Sequence, residues 1–467
     1  MIRIPECPSA EGEFTDIALT VGGKRVMPTA CRVSALPFNT PWPGHQRPVS
    51  QSEESGFVRI VADEPVEVEA ETHRPFAGAA VRPLSEGVIA ERRGRGVCFT
   101  LKEEGQYVLE FGDEHTALHI FLDRPRDFSE YGKPTRVFGA GVHDAGKIVV
   151  NDGDRIFLEE GAHVYGVLYG KNVHDVAVYG YGVLDGGKEE RTSPNCYEDM
   201  TNGCLKFYES SHIRIDGVTF IDSAIWVCNL FACTDAVLND IKVVGHWKYN
   251  CDGIDIVNSS DITVKNSFIR AFDDVITLKG ILPYRQLPLE NILVENCVLW
   301  CGWGRTLEIG LETIAEHYKN ISFRNCDLIH NSAVAIDIQC GDYAEVRDIS
   351  YEDIRAEYQA GSLPEQMENP VGCRYEGFGK KNTPVFIKIC TQEYTLGHPF
   401  EEYDEELLRV RQGRAARVED IRFENVSALL EEGCEPPQII FDVKEPAFLG
   451  KVTMKNVRIC PTQEAKK

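Results

Sequence analysis

Three aspartates carry the strongest chemical signal in this sequence. Asp252 sits in Asn250-Cys251-Asp252-Gly253-Ile254-Asp255, and 21 residues further on come Asp273 and Asp274, in Ala271-Phe272-Asp273-Asp274-Val275-Ile276. That offset is close to one short turn of a repeat, which would put the three carboxyls on neighbouring rungs of one face, roughly ~5 Å apart. Carboxylates packed so closely repel one another, and holding them together favours protonation of at least one. A protonated acid beside an ionised base is what cleavage of a glycosidic bond requires. Turn aspartates or a calcium cage are the plainer readings of any single residue; the trio at a one-turn offset favours catalysis.

The elements that must position these residues are legible as a repeat. His212-Ile213-Arg214-Ile215-Asp216-Gly217-Val218 aligns with Asp261-Ile262-Thr263-Val264-Lys265-Asn266-Ser267 and with Asn291-Ile292-Leu293-Val294-Glu295-Asn296-Cys297. Further copies start at Asn320, Asp348, Asp420 and Lys451, mostly 28 to 31 residues apart, with an insertion of about 358–417 between two of them. Alternating apolar residues bury one face of a strand. The Asn or Asp at a fixed place suits a bend, since it tolerates left-handed torsions, and stacked copies can form a ladder of side-chain hydrogen bonds. Helical repeats would space their apolar residues by 3.6, and the leucine consensus of leucine-rich repeats is missing. The expectation is an all-β chain whose residues 131–467 form a parallel β-helix, each coil burying its face against its neighbours.

Ahead of the repeats, runs such as Phe57-Val58-Arg59-Ile60-Val61, Val97-Cys98-Phe99-Thr100-Leu101 and Tyr107-Val108-Leu109-Glu110-Phe111 alternate with Gly, Pro and acidic turns. They predict a small antiparallel β-sandwich over residues 1–130. Its role is open: glycan binding, support of the helix end, or an interface. The 467 residues, 43% hydrophobic, allow a sizeable core, and the formal net charge of −24 argues against nucleic acid or an anionic membrane as partner. No apolar segment follows Met1-Ile2-Arg3-Ile4-Pro5, and no C-x-x-C pair occurs among 16 cysteines, so reduced thiols and a cytoplasmic location are expected. No cofactor or metal is expected. The residues do not reveal the oligomeric state.

With these motifs in view, residues from about Phe138 to Asn456 resemble the polygalacturonases, glycoside hydrolase family 28, whose motifs run Asn-Thr-Asp-Gly, Asp-Asp, Gly-His-Gly and Arg-Ile-Lys. Asn250-Cys251-Asp252-Gly253 departs from the first only by Cys for Thr. The chain is also similar to family 49 (dextranase and isopullulanase), in which a β-sandwich precedes a β-helix with a comparable aspartate trio. The resemblance implies a right-handed β-helix, Asp273 as general acid, Asp252 and Asp274 holding and deprotonating the attacking water, and inversion. Carboxylates on adjacent rungs could sit closer than inversion usually requires, so spacing alone leaves retention open.

The later motifs depart. Gly304-Arg305-Thr306-Leu307-Glu308 puts Arg305 where the family has histidine, with Glu308 nearby, and Val334-Ala335-Ile336-Asp337-Ile338 has Ala335 and Asp337 where the family has Arg and Lys. Those cations hold the substrate carboxylate in the family, so their loss predicts a neutral sugar, with Asp337 accepting from hydroxyls. Arg305, Glu308, Asp337, Lys279, Trp247 and Trp303 are the candidate substrate-binding residues. Softer candidates are Trp226, His246, Tyr249, Glu312 and His317, with Tyr394, His398, Phe400 and Tyr403 in the insertion. A pectin-oligosaccharide hydrolase, a polysaccharide lyase or epimerase, and a non-catalytic glycan-binding β-helix are the alternatives.

Overall fold

The computed structural model describes residues 1–5, 12–35, 48–191, 203–360, 384–391 and 413–462. The repeats form a right-handed parallel β-helix. Among the described residues, twenty-nine strands, from Arg136–Phe138 to Arg458–Pro461, join in one sheet in which strands pair in parallel with those of the next coil. Inside, aliphatic residues stack coil on coil, from Ile148 to Ala428, and Phe323, Tyr351 and Phe423 stack face to face. The asparagines of the repeat do what their chemistry suits. Asn266, Asn296 and Asn325 all have φ near +50°, and each amide donates to the side chain one coil before it.

The same column of strands includes two copies that the repeat template does not pick out, His174–Gly180 and Thr234–Asn239. In both, an apolar residue (Ala177, Val237) stands at an outward position and blurs the alternation. The stretch expected as an insertion also contributes a rung. Val385–Thr391 pairs with Val334–Cys340 before it and with Gln438–Asp442 after it.

The described N-terminal strands build two sheets, of six and five strands, enclosing their own apolar core. Pairing is antiparallel except between Ser52–Ala62 and Asp113–Asp123, which run parallel. This sandwich lies along the flank of the β-helix and not over its first coil. Cys31, Phe57, Val108, Ala117 and Phe121 pack on Val183, Ile221, Val244, Phe268, Val298 and Trp300. Buried ion pairs lock the two together: Arg82 reaches Glu357 and Glu431 across the junction, and Lys242 of the helix reaches Asp123 of the sandwich at 3.2 Å. The strands it braces, Phe268–Ala271 and Val298–Cys301, run directly into the turn that carries Asp273 and Asp274 and the turn that leads to Arg305.

Candidate active site

The three aspartates meet where two neighbouring coils turn into the same sheet. Gly253 N–H donates to Asp274 O at 2.8 Å, and Asp273 N–H to Cys251 O at 3.2 Å, so the 21-residue offset is one coil. All three side chains are almost fully buried, at 2–4% exposure. Gly304 on the next coil is obligatory here. A Cβ at that position would lie 2.4 Å from Asp274 Oδ1 and 2.6 Å from Asp273 Oδ1.

Three cations hold the acids. Lys279 Nζ stands 3.7 Å from Asp252, 3.6 Å from Asp274 and 3.8 Å from Glu312. Arg305 is 3.5 Å from Asp274 and 3.7 Å from both Glu308 and Asp337, and its backbone N–H donates to Asp274 Oδ1 at 2.9 Å. Lys388 faces Asp337 at 3.8 Å from the following rung. Register explains the grouping. Asp255, Thr277, Glu308, Asp337 and Lys388 occupy the same outward position on five successive strands.

Electrostatics separates the acids. Asp273 is pushed up to about 7, by burial first and then by the charge of Asp274, against the pull of Arg305 and Lys279. Burial would raise Asp274 too, but Arg305 and Lys279 overcome it, Glu308 and the Arg305 N–H add hydrogen bonds, and it stays below its ordinary value. Asp252 is raised well above the carboxylate range by burial, then by Asp255 and Asp273. Glu308 is raised by burial and by Asp274, and Asp337 is pushed up to about 6 by burial, with Lys388 and Arg305 opposing. A proton-bearing Asp273 beside an ionised Asp274 is an acid and base pair set by environment.

The aromatic candidates divide. Trp303 stacks on Phe272, next to Asp273, with centroids 5.7 Å apart and planes 3° apart. Trp226 lies over Lys279 at 5.1 Å. Tyr249 is tilted against Trp303 at 6.3 Å. Trp247, on the turn that carries Asp252, instead donates to Asp222 Oδ1 of the preceding coil at 3.1 Å, beside Lys248. His246 is a core residue bonded to Phe220 O and Ser223 N and held neutral, its pKa lowered to about 3 by burial. His317 pairs with Glu290 at 3.0 Å and takes no part in the cluster. Tyr394, His398, Phe400 and Tyr403 lie outside the described residues.

Two members of the cluster escape a reading of the sequence alone. Lys388 falls in the stretch taken as an insertion, and Asp255 has no role there. The signal for Lys388 is nonetheless present: Val385-Phe386-Ile387-Lys388-Ile389 alternates as the other rungs do.

Known proteins share parts of this sequence and its fold. Residues 153–361 match the model for glycosyl hydrolases family 28. Exopolygalacturonase rpg15 of Rhizopus delemar is 25% identical over 214 residues, which cover 43% of this chain and 49% of that protein. A probable rhamnogalacturonase A of Aspergillus oryzae is 26% identical over 121 residues, 26% of this chain and 24% of that protein. The matches thus span about half or less of these relatives' length. Dex49A from Penicillium minioluteum shares the fold across sandwich and helix together, with a TM-score of 0.64 at 12% identity over 94% of this chain and 87% of that one.

Proposed function

We propose that this polygalacturonase-like chain is a glycoside hydrolase that cleaves a neutral oligo- or polysaccharide with Asp273 as general acid and Asp274 as general base. The observation that carries the reading is the separation of Asp273, raised to about 7, from Asp274, held ionised by Arg305 and Lys279. Asp273 gives its proton to the leaving oxygen. Asp274 takes one from the attacking water, which Asp252 helps to hold. The sum is addition of one water across the glycosidic bond. Inversion follows from the resemblance to family 28 and is testable by NMR of the first-formed anomer.

The charge balance supports a neutral sugar. Each of Lys279, Arg305 and Lys388 already faces site carboxylates at 3.5–3.8 Å, and Asp337 draws on two of these cations. A uronate entering beside Asp274 and Asp337 would meet these acids with the three cations that face them, Lys279, Arg305 and Lys388, already engaged. Ala335, at the other motif position, is fully buried and offers no charge. The activities for which the relatives are named favour a second reading, a substrate derived from pectin.

Mass spectrometry of products from a panel of neutral and uronic oligosaccharides, with chelator present, separates the two. Products one water heavier, from neutral sugars only, are expected. Turnover of uronides alone overturns the neutral assignment, and unsaturated products overturn hydrolysis itself.

A further inference from the structure

Asp255 is an acid of the cluster that the proposed chemistry leaves unused. It sits on the strand Ile254–Val257, pointing outward while Ile254 and Ile256 fill the core. It has no solvent exposure, and neither carboxyl oxygen has a hydrogen-bond partner. Its neighbour on the next rung, Thr277, has committed its hydroxyl to Gly310 O at 2.9 Å. Its neighbour on the preceding rung is Asn229. The Asn229 amide nitrogen donates to Leu205 O at 3.2 Å and to Trp226 O at 2.9 Å, which turns Oδ1 away from both, and Oδ1 is also buried without a partner.

Two buried, unpartnered acceptors on adjacent rungs are a costly arrangement unless a proton lies between them. An ionised Asp255 cannot supply it; the neutral acid can. The charged and titratable groups around Asp255 favour the same state. Burial raises Asp255 first; Lys279 opposes but is shared among Asp252, Asp274 and Glu312, while Asp274 and Glu312 repel a further anion, and Cys228 is a buried thiol whose own ionisation Asp255 opposes.

We propose that Asp255 stands as a neutral carboxylic acid whose proton bonds Asn229 Oδ1, and that through Asn229 it fixes the backbone of Trp226, the ring that covers Lys279. Asp255 is then a positioning residue for the cation that holds Asp252 and Asp274. This role deepens the catalytic reading, but its test needs no turnover.

The test is proton linkage. Asp255 in the unfolded chain ionises above about pH 4, while the folded protein keeps its proton, so the wild type loses stability to this residue as pH rises past that value. Asp255→Asn can donate to Asn229 as the neutral acid does, and it carries no such loss. The expected result is that the unfolding equilibrium of Asp255→Asn, measured with denaturant, moves in favour of the folded variant relative to wild type by about tenfold per pH unit between pH 5 and 7. A ratio constant over that window overturns the proposal, since it means Asp255 is ionised in the folded state. Isotope-edited infrared spectroscopy of the wild type is the second measurement and stands if the variant does not fold. A protonated aspartate band at pH 7 that Asn229→Leu shifts supports the pair, and a band unmoved by Asn229→Leu overturns it.

Discussion

The β-helix carries two rows of stacked polar side chains, and they follow opposite rules. At the bends, Asn239, Asn266, Asn296 and Asn325 are linked amide to carbonyl along successive coils at 2.8–3.2 Å, in positions open or half-open to solvent. On the sheet face, Asp255, Glu308 and Asp337 stack just as regularly, yet they are fully buried. Neither Asp255 nor Asp337 has a hydrogen bond to either oxygen, and one oxygen of Asp252 beside them is equally unpartnered. Exposed polar groups could have done without partners, because water would serve them; buried ones ordinarily cannot. The bend row is thus built for the fold. The sheet row costs the fold something, and shifted protonation states of this kind cluster at functional sites, in keeping with the proposed chemistry.

The largest test of this contrast is on Asp273. Asp273→Asn removes the proton donor beside the sheet row and should lower kcat on the order of 10²- to 10⁴-fold with the fold intact by circular dichroism. In the wild type, kcat/KM should fall as pH rises through about 7, because the acid loses its proton there. Wild-type turnover in the variant would remove the catalytic assignment, and a basic limb far above 7 would move the acid role to another group.

A smaller effect is expected at Asp337, which lies between Arg305 and Lys388. Asp337→Asn releases part of the pull on both cations. The ratio of kcat/KM for uronides over neutral sugars should rise, by roughly three- to tenfold. An unchanged ratio in a folded variant would count against charge balance as the source of selectivity.

The smallest effect on turnover belongs to the bend row. Asn296→Ala breaks the bonds to Asn266 and from Asn325 at a residue with φ +55°. It should cost about 1 kcal/mol of stability by denaturant unfolding, since the site is exposed, while kcat changes by less than about twofold. A loss of activity without a loss of stability would show that the two rows are not separable.

Much of this contrast is legible in the order of the residues. The template around Ile262-Thr263-Val264-Lys265-Asn266 dictates strand, burial and bend at once, because alternation and a turn-tolerant residue are local properties. Copies whose outward positions carry apolar residues, as at Val237, escape that template. Asp252, Asp273 and Asp274 stand out by an offset that equals one coil. Lys388 does not, since the preceding 361–383 break the spacing of the repeat. Nor does the flank position of the sandwich, which depends on matching apolar surfaces such as Phe121 and Phe268.

What the sequence determined by itself was therefore the architecture of the regular coils and the candidacy of Asp252, Asp273 and Asp274, as both follow from periodicity. The tertiary structure decided which acids keep their protons. That depends on how deeply each is buried and on which of Lys279, Arg305 and Lys388 lies against it, distances of 3.5–3.8 Å set by the register of strands far apart in the chain. Coulomb energy in a buried site varies steeply over such distances, and no local pattern of residues encodes them.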